Sequence, residues 1–73
     1  MVLTQLKVGE SCQVLKIKGN SNIKNKLQYF GITEGVKIWV IRRAPLGGPM
    51  QIKVRDFYLA LRKTETDIIE VIL

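Results

Sequence analysis

The chain has 73 residues, so we predict a single small domain over residues 1–73, with a hydrophobic fraction of 47% that indicates a folded protein. It contains one cysteine, Cys12, and no histidine, which excludes an internal disulfide and a Cys/His zinc site. The net charge of +6 is compatible with a nucleic acid, an acidic protein surface or an anionic membrane face, and does not choose among them.

The sequence contains no apolar run near the roughly 18 residues of a transmembrane helix. Its first residues lack the charged and apolar regions of a signal peptide. No internal disulfide requires an oxidising compartment. We therefore expect a cytoplasmic protein without direct membrane insertion.

Residues 11–18 are predicted to form the first strand. Strict apolar alternation fails at Val14 and Leu15, so we expect either a β-bulge or a strand covered on both faces. Lys16 and Lys18 are the expected solvent-facing members.

A helix is predicted over residues 22–30. The turn cluster at residues 19–22 carries the best helix-start signal in the sequence. Gly31 follows directly and can adopt the left-handed conformation that ends a helix. The apolar residues fall at helical spacing and form one stripe, which consists of Ile23, Leu27 and Phe30.

Residues 36–43 and 50–54 alternate between apolar and polar side chains, which predicts two strands joined as a hairpin. The first strand carries Trp39 and Ile41 between cations on one face. We expect that face to be partly solvated and packed by the helix or by a neighbouring strand.

The connection between these two strands is the segment at residues 42–49, Arg-Arg-Ala-Pro-Leu-Gly-Gly-Pro, which we call the Pro-Gly loop. Two prolines around a Gly-Gly pair require the chain to reverse here. Leu46 stands where a solvated loop usually carries a polar residue. Two interpretations are open: Leu46 contacts a partner, or it caps the core of the barrel.

Residues 57–61 alternate again and predict a fourth strand. Residues 64–67 resemble an abbreviated capping box that starts a short helical turn, and residues 69–73 predict a last strand. The result is a mainly β protein of about five strands, with one inserted α-helix and a short C-terminal helical turn. Short, regularly spaced strands of this kind favour a closed or nearly closed small barrel.

The residue types and their spacing do not indicate a catalytic or ligand-binding site. The six carboxylates lie mostly at turns or beside basic residues, where capping and pairing are their expected roles. Cys12 is expected to be a small buried hydrophobe. The Pro-Gly loop is not a phosphate loop, because Pro49 lacks an amide donor and a strand follows it. We therefore predict no enzyme activity, no catalytic residue, no cofactor and no metal site.

Single-stranded nucleic-acid binding is the alternative function. A small barrel can bind a single strand with a basic groove and stacked aromatic rings. The residues that could supply these groups on outer faces are Trp39, Arg43, Lys53, Arg55 and Tyr58. A solvated sheet with Trp39 covered by the helix is the interpretation that we favour, because the chain has only five aromatic residues.

Four segments carry a family resemblance. They are Leu-Lys-Val-Gly-Glu at residues 6–10, Lys-Leu-Gln-Tyr-Phe-Gly-Ile-Thr-Glu-Gly at residues 26–35, Val-Ile-Arg-Arg-Ala-Pro-Leu-Gly-Gly-Pro at residues 40–49, and Leu-Ala-Leu-Arg-Lys-Thr-Glu at residues 59–65 with the closing Ile-Glu-Val at residues 69–71. Together they resemble the ferrous iron transport protein A (FeoA) family over nearly the whole chain. The Ala-Pro-Leu-Gly-x-Pro loop combined with Leu-Ala-Leu-Arg-Lys is the specific part.

The resemblance implies an SH3-like small β-barrel and a cytoplasmic accessory protein that works with a FeoB-type membrane ferrous iron transporter carrying its own G domain. It also implies a family-level association with transition metal ions. The chain departs from the family pattern at Gly48, where Asp is common, and at Thr66, where Ala is common. We expect Thr66 to leave the last helical turn less tightly packed.

Our hypothesis is contact with the cytoplasmic domain of such a transporter and not with nucleic acid. The predicted contact residues are Arg42, Arg43, Pro45, Leu46, Gly47, Gly48 and Pro49, with Lys26 and Tyr29 as second choices. Each of them could instead serve only a turn or a solvated helix face. Exposed sheet edges leave weak self-association open.

Overall fold

The computed structural model describes residues 1–19 and 22–73. The elements in chain order are a 3₁₀ turn at Leu3–Gln5 (the N-terminal turn), β1 (Ser11–Ile17), α1 (Asn22–Tyr29), β2 (Lys37–Arg43), β3 (Met50–Val54), β4 (Phe57–Leu61), α2 (Lys63–Thr66) and β5 (Ile69–Ile72). The strands form one antiparallel sheet in the order β4-β3-β2-β1-β5. The predicted mainly β fold is confirmed.

The irregularity predicted in the first strand is a β-bulge. The register of β1 against β5 shifts between Val14 and Lys16, and Leu15 is the extra residue, with its side chain exposed. Val14 remains buried, so the bulge allows the strand to keep its apolar side chains in the core.

The helix α1 forms as predicted, except that it ends at Tyr29. Leu27 is fully buried, whereas Ile23 and Phe30 are half-buried. Gly31 has a φ of +89°, which confirms the left-handed residue that closes the helix. The helix-start signal falls partly on residues 20 and 21, which lie outside the described residues.

The N-terminal turn is the element that the sequence did not reveal. Leu3 and Leu6 are both completely buried, and the N–H of Leu6 donates to the Leu3 carbonyl at 3.1 Å. A turn of three residues is too short to produce a periodic apolar pattern.

The start of α2 differs from the prediction. The helix begins at Lys63 because the carboxylate of Glu65 reaches back to accept the N–H of Arg62 at 2.7 Å. Thr66 does not loosen this turn. Its side chain is buried, and its hydroxyl lies 2.7 Å from the hydroxyl of Thr4.

The outer face of β2 is partly solvated, as predicted. Trp39 is 37% exposed, and the ammonium groups of Lys37 and Lys53 lie 5.0 and 6.0 Å from its ring centroid. The cover on the ring comes from these lysines, one on β2 itself and one on the neighbouring β3. Of the two predicted covers, the neighbouring strand contributes through Lys53.

Candidate protein contact site

The Pro-Gly loop is a closed hairpin connection. The N–H of Ala44 donates to the Pro49 carbonyl at 3.0 Å, and the N–H of Gly48 donates to the Pro45 carbonyl at 3.2 Å. Between them Leu46 and Gly47 have φ values of +59° and +74°. Positive φ at both central positions is the pattern of a type I′ turn. The loop therefore presents a defined tip.

Leu46 occupies that tip with its side chain fully in solvent. This geometry rules out the interpretation that Leu46 caps the core. A left-handed backbone costs a residue with a side chain about 1–2 kcal/mol, and Gly or Asn normally fills this turn position. Neither packing within the chain nor backbone preference explains a leucine at this position.

The two arginines before the tip have different surroundings. The guanidinium Nη1 of Arg43 donates to the carbonyl of Thr4 at 2.7 Å and also to the carbonyl of Leu6. Arg43 thus ties the hairpin to the N-terminal turn. Arg42 follows a register shift in β2, lies opposite Gln51, and is exposed.

Gly48 is required by close packing inside the loop. A Cβ atom at this position would lie 2.7 Å from the Cβ of Ala44, which is closer than two carbon atoms can approach. An aspartate, the residue common here in the resembling family, would force the loop to shift. The shape of this loop therefore depends on glycine at position 48.

Lys26 is engaged with a buried carboxylate. Its ammonium lies 2.9 Å from Oε2 of Glu65, a residue only 5% exposed. Burial raises the pKa of Glu65. The hydrogen bond from the Arg62 backbone and the Lys26 ammonium together outweigh that effect and hold the pKa below its ordinary value. Lys26 therefore stabilises α2 against α1, whatever else it contacts.

Tyr29 is the most exposed of the aromatic side chains in the described parts of the chain. It is 86% exposed and meets Phe30 edge-on, with ring centroids 5.5 Å apart. Most of its surface is available for contact, with both an apolar ring and a hydroxyl.

The short helix α2 lies near both the Pro-Gly loop and Lys26. A cavity of about 60 Å³ separates α2 from the Pro-Gly loop, with Thr4, Gly48, Lys63 and Thr66 in its lining. On α2, Glu65 holds Lys26. The helix α2 thus lines a cavity together with the loop and contacts α1 through Glu65.

Two polar residues of this region were missed in the sequence. Thr4 hydrogen-bonds to both Thr66 and Asp67, and Glu65 caps α2 while pairing with Lys26. Glu65 lies three residues after Arg62, which is the spacing of a capping box. The sequence prediction placed the start of the helix at a threonine instead, because threonine is a preferred N-cap residue and arginine is not. No pattern in the sequence marks Thr4.

The remaining chemistry of the site is limited. Within residues 1–19 and 22–73, no three His, Cys, Asp or Glu side chains group to hold a metal ion. Burial and, to a lesser extent, Glu10 raise the pKa of Cys12 to about 11, so its thiol stays protonated. None of the helices in the described part of the chain is long and apolar enough to cross a membrane.

The five-stranded antiparallel sheet and its two short helices define a small SH3-like domain. A family model of the FeoA domain matches residues 1–73, and the chain belongs to this family, which is linked to ferrous iron transport.

Relatives agree with this assignment. Iron(II) transport protein A from Clostridium thermocellum is similar in structure, with a TM-score of 0.92, 32% identity, and coverage of 97% of this chain and 44% of that chain. FeoA from Stenotrophomonas maltophilia, solved with zinc and described as an SH3 domain protein, has a TM-score of 0.85, 25% identity, and coverage of 97% and 88%.

A longer relative comes from Porphyromonas gingivalis (strain ATCC BAA-308 / W83). It is an Fe(2+) transport protein A/Fe(2+) transporter FeoB fusion protein, 27% identical over 71 residues. Those residues are 97% of this chain but only 8% of the relative's length.

Proposed function

We propose that this protein is a cytoplasmic, non-enzymatic accessory protein of ferrous iron uptake that contacts the cytoplasmic part of a FeoB-type transporter. The fully exposed Leu46 on the closed Pro-Gly loop is the observation that carries the proposal. The fusion protein of P. gingivalis supports the choice of partner, because joining two proteins in one chain raises their effective concentration for each other.

The loop is suited to act as a small preorganised anchor. Its two internal hydrogen bonds hold the tip in place before binding, so less conformational entropy is lost when a partner closes over it. Burial of a leucine side chain contributes about 1.5–3 kcal/mol. In this proposal Leu46 enters an apolar pocket, and Arg42 lies at the rim beside it.

The other predicted residues divide into two roles in the proposal. One group sets the geometry of the loop: Pro45, Gly47, Gly48 and Pro49 shape it, and Arg43 ties it to the N-terminal turn. Tyr29, with most of its side chain in solvent, forms a second contact together with the exposed part of Lys26.

Binding of the purified cytoplasmic domain of the transporter tests the proposal. We expect Leu46→Asp to weaken the affinity at least tenfold in calorimetric titration, since a charge replaces the apolar anchor. Leu15→Asp is the matched control, because Leu15 is also an exposed leucine but lies on the β1 bulge. An unchanged affinity of the Leu46→Asp variant would show that the loop is not part of the interface.

The geometry does not favour the alternative of single-stranded nucleic-acid binding. Stacking needs a free ring face, but lysine ammonium groups lie over both Trp39 and Tyr58. A labelled oligonucleotide titrated at several salt concentrations checks this. Tight binding that weakens steeply with salt would contradict the transporter proposal.

A further inference from the structure

The strand β4 has an open edge. It lies at the end of the sheet and pairs with β3 through a two-residue turn, with Val54 opposite Phe57. Hydrogen-bonded and non-hydrogen-bonded pairs alternate in an antiparallel ladder, so Tyr58 and Ala60 direct their N–H and C=O groups away from β3. The loop and cap hydrogen bonds of the described residues leave these groups unused.

The opposite edge of the sheet, at β5, is covered. There the N-terminal residues cover β5: the N–H of Val71 donates to the Met1 carbonyl at 2.8 Å, and Val2 forms a bridge with Glu70. The sequence of β4, Phe-Tyr-Leu-Ala-Leu, contains no charge, proline or glycine. Proteins usually protect an exposed edge with such residues or with a cover. An edge without protection is a surface for strand addition.

Cations surround this edge. The segment at residues 53–63 carries Lys53, Arg55, Arg62 and Lys63 against one acid, Asp56. The ammonium of Lys53 lies 5.9 Å from the ring centroid of Tyr58 on β4 and 6.0 Å from that of Trp39 on β2. A second copy of the chain would bring another charge of +6 against this surface. Charge complementarity therefore selects an acidic occupant.

We propose that the open edge of β4 binds an extended, acidic segment of a partner protein as an additional strand. Main-chain groups of Tyr58 and Ala60 hydrogen-bond to the added strand, and carboxylates of the segment face Lys53, Arg55 and Arg62. The edge lies outside the Pro-Gly loop, so this inference stands independently of the function proposed above.

A labelled ten-residue peptide with alternating Val and Glu is the probe, and a Val-Lys peptide of equal length is its control. Fluorescence anisotropy should show the Glu peptide binding at least tenfold more tightly. Ala60→Pro removes an outward N–H without touching the β3 ladder, so it should weaken binding at least tenfold. Ala60→Val keeps the donor and should stay within twofold of the wild-type affinity.

Several results would overturn the inference. These are equal affinity for the two peptides, full affinity of Ala60→Pro, and tighter binding of a ten-residue oligothymidylate that protects the same amides. Protection of these amides that depends only on protein concentration would assign the edge to self-association. If Ala60→Pro does not fold, hydrogen exchange of the wild-type amides decides. Slower exchange at Tyr58 and Ala60 with the Glu peptide supports the proposal, and unchanged exchange refutes it.

Discussion

Backbone strain in the described residues is concentrated at two hairpin turns. Leu46 and Arg55 have φ values of +59° and +54°, and they are the non-glycine residues with positive φ in that part of the chain. Each is the first central residue of its turn, a position that glycine or asparagine fills with less strain. Residues that stay in a costly conformation are candidates for function, and Leu46 is also fully exposed.

Leu46→Asn should separate stability from binding. Asparagine tolerates the left-handed conformation, so we expect the free energy of unfolding to rise by about 1 kcal/mol. Affinity for the transporter domain should fall, because the apolar anchor is gone. Urea denaturation and calorimetric titration measure the two effects. Leu46→Ala is the control, since it shortens the side chain but keeps a Cβ in the same backbone conformation.

The carboxylate of Glu65 should make stability depend on pH. Its pKa is lowered in the folded state: burial opposes ionisation, but the Arg62 backbone hydrogen bond and Lys26 outweigh burial. A lowered folded pKa contributes stability above the unfolded value of 4.5, and this stability is lost as the pH falls through the folded pKa. Asp67 has the same sign through Thr4 and Lys63.

Glu65→Gln isolates this effect. At pH 7 we expect a loss of about 1 kcal/mol in the free energy of unfolding, because the pairing with the half-exposed Lys26 disappears. The difference from wild type should shrink as the pH falls from 4.5 through the lowered folded pKa, because the unfolded chain takes up the proton first. Chemical denaturation at a series of pH values gives the measurement. A constant difference at all pH values would show that ionisation of Glu65 does not matter.

At the scale of the elements, the conformation of the Pro-Gly loop depends on a close contact between two of its own residues. Gly48→Ala should destabilise the protein by about 1–3 kcal/mol, since the new Cβ would lie 2.7 Å from that of Ala44. Combining it with Ala44→Gly removes the conflict, so the double variant should lose less stability than the sum of the two single variants. Additive losses would show that the destabilisation by Gly48→Ala does not come from the contact with Ala44.

The strands and α1 were predictable because each carries a periodic signal. Ile52 and Val54 alternate with polar neighbours, and the failed alternation at Val14 and Leu15 located the bulge. The N-terminal turn and the start of α2 were not predictable in the same way. The N-terminal turn depends on the burial of Leu3. The start of α2 depends on a local hydrogen bond from an arginine N-cap to Glu65, and on the contact of Glu65 with Lys26, 39 residues away.

The sequence singled out the segment that forms the candidate site, but it did not predict which contacts each residue of the segment makes. Sequence alone singled out the Pro-Gly loop and the unusual Leu46. It could not show that the guanidinium of Arg43 bonds to carbonyls 37 and 39 residues away, while Arg42 lies opposite Gln51. Adjacent residues of one type look equivalent in a sequence, although their side chains lie on opposite faces of a strand.

Across the whole molecule, Arg43 joins parts of the chain that are far apart in sequence. A domain of this size has a total stability on the order of 5 kcal/mol, and hydrogen bonds to a charged group contribute about 1.5–3 kcal/mol. Arg43→Met should therefore remove a large share of the stability and lower the thermal midpoint by roughly 10 °C. Arg42→Met is the matched control and should change the midpoint little.

The position of Trp39 also has an optical consequence. It is the one tryptophan of the chain, and it lies on the outer face of the sheet, partly in water and beside two ammonium groups. Indole emission moves to shorter wavelength when water is excluded, so the natural fluorescence of the protein reports on that face. A ligand seated over β2 and β3 would shift the emission without any label, whereas one held at the tip of the Pro-Gly loop would leave it unchanged.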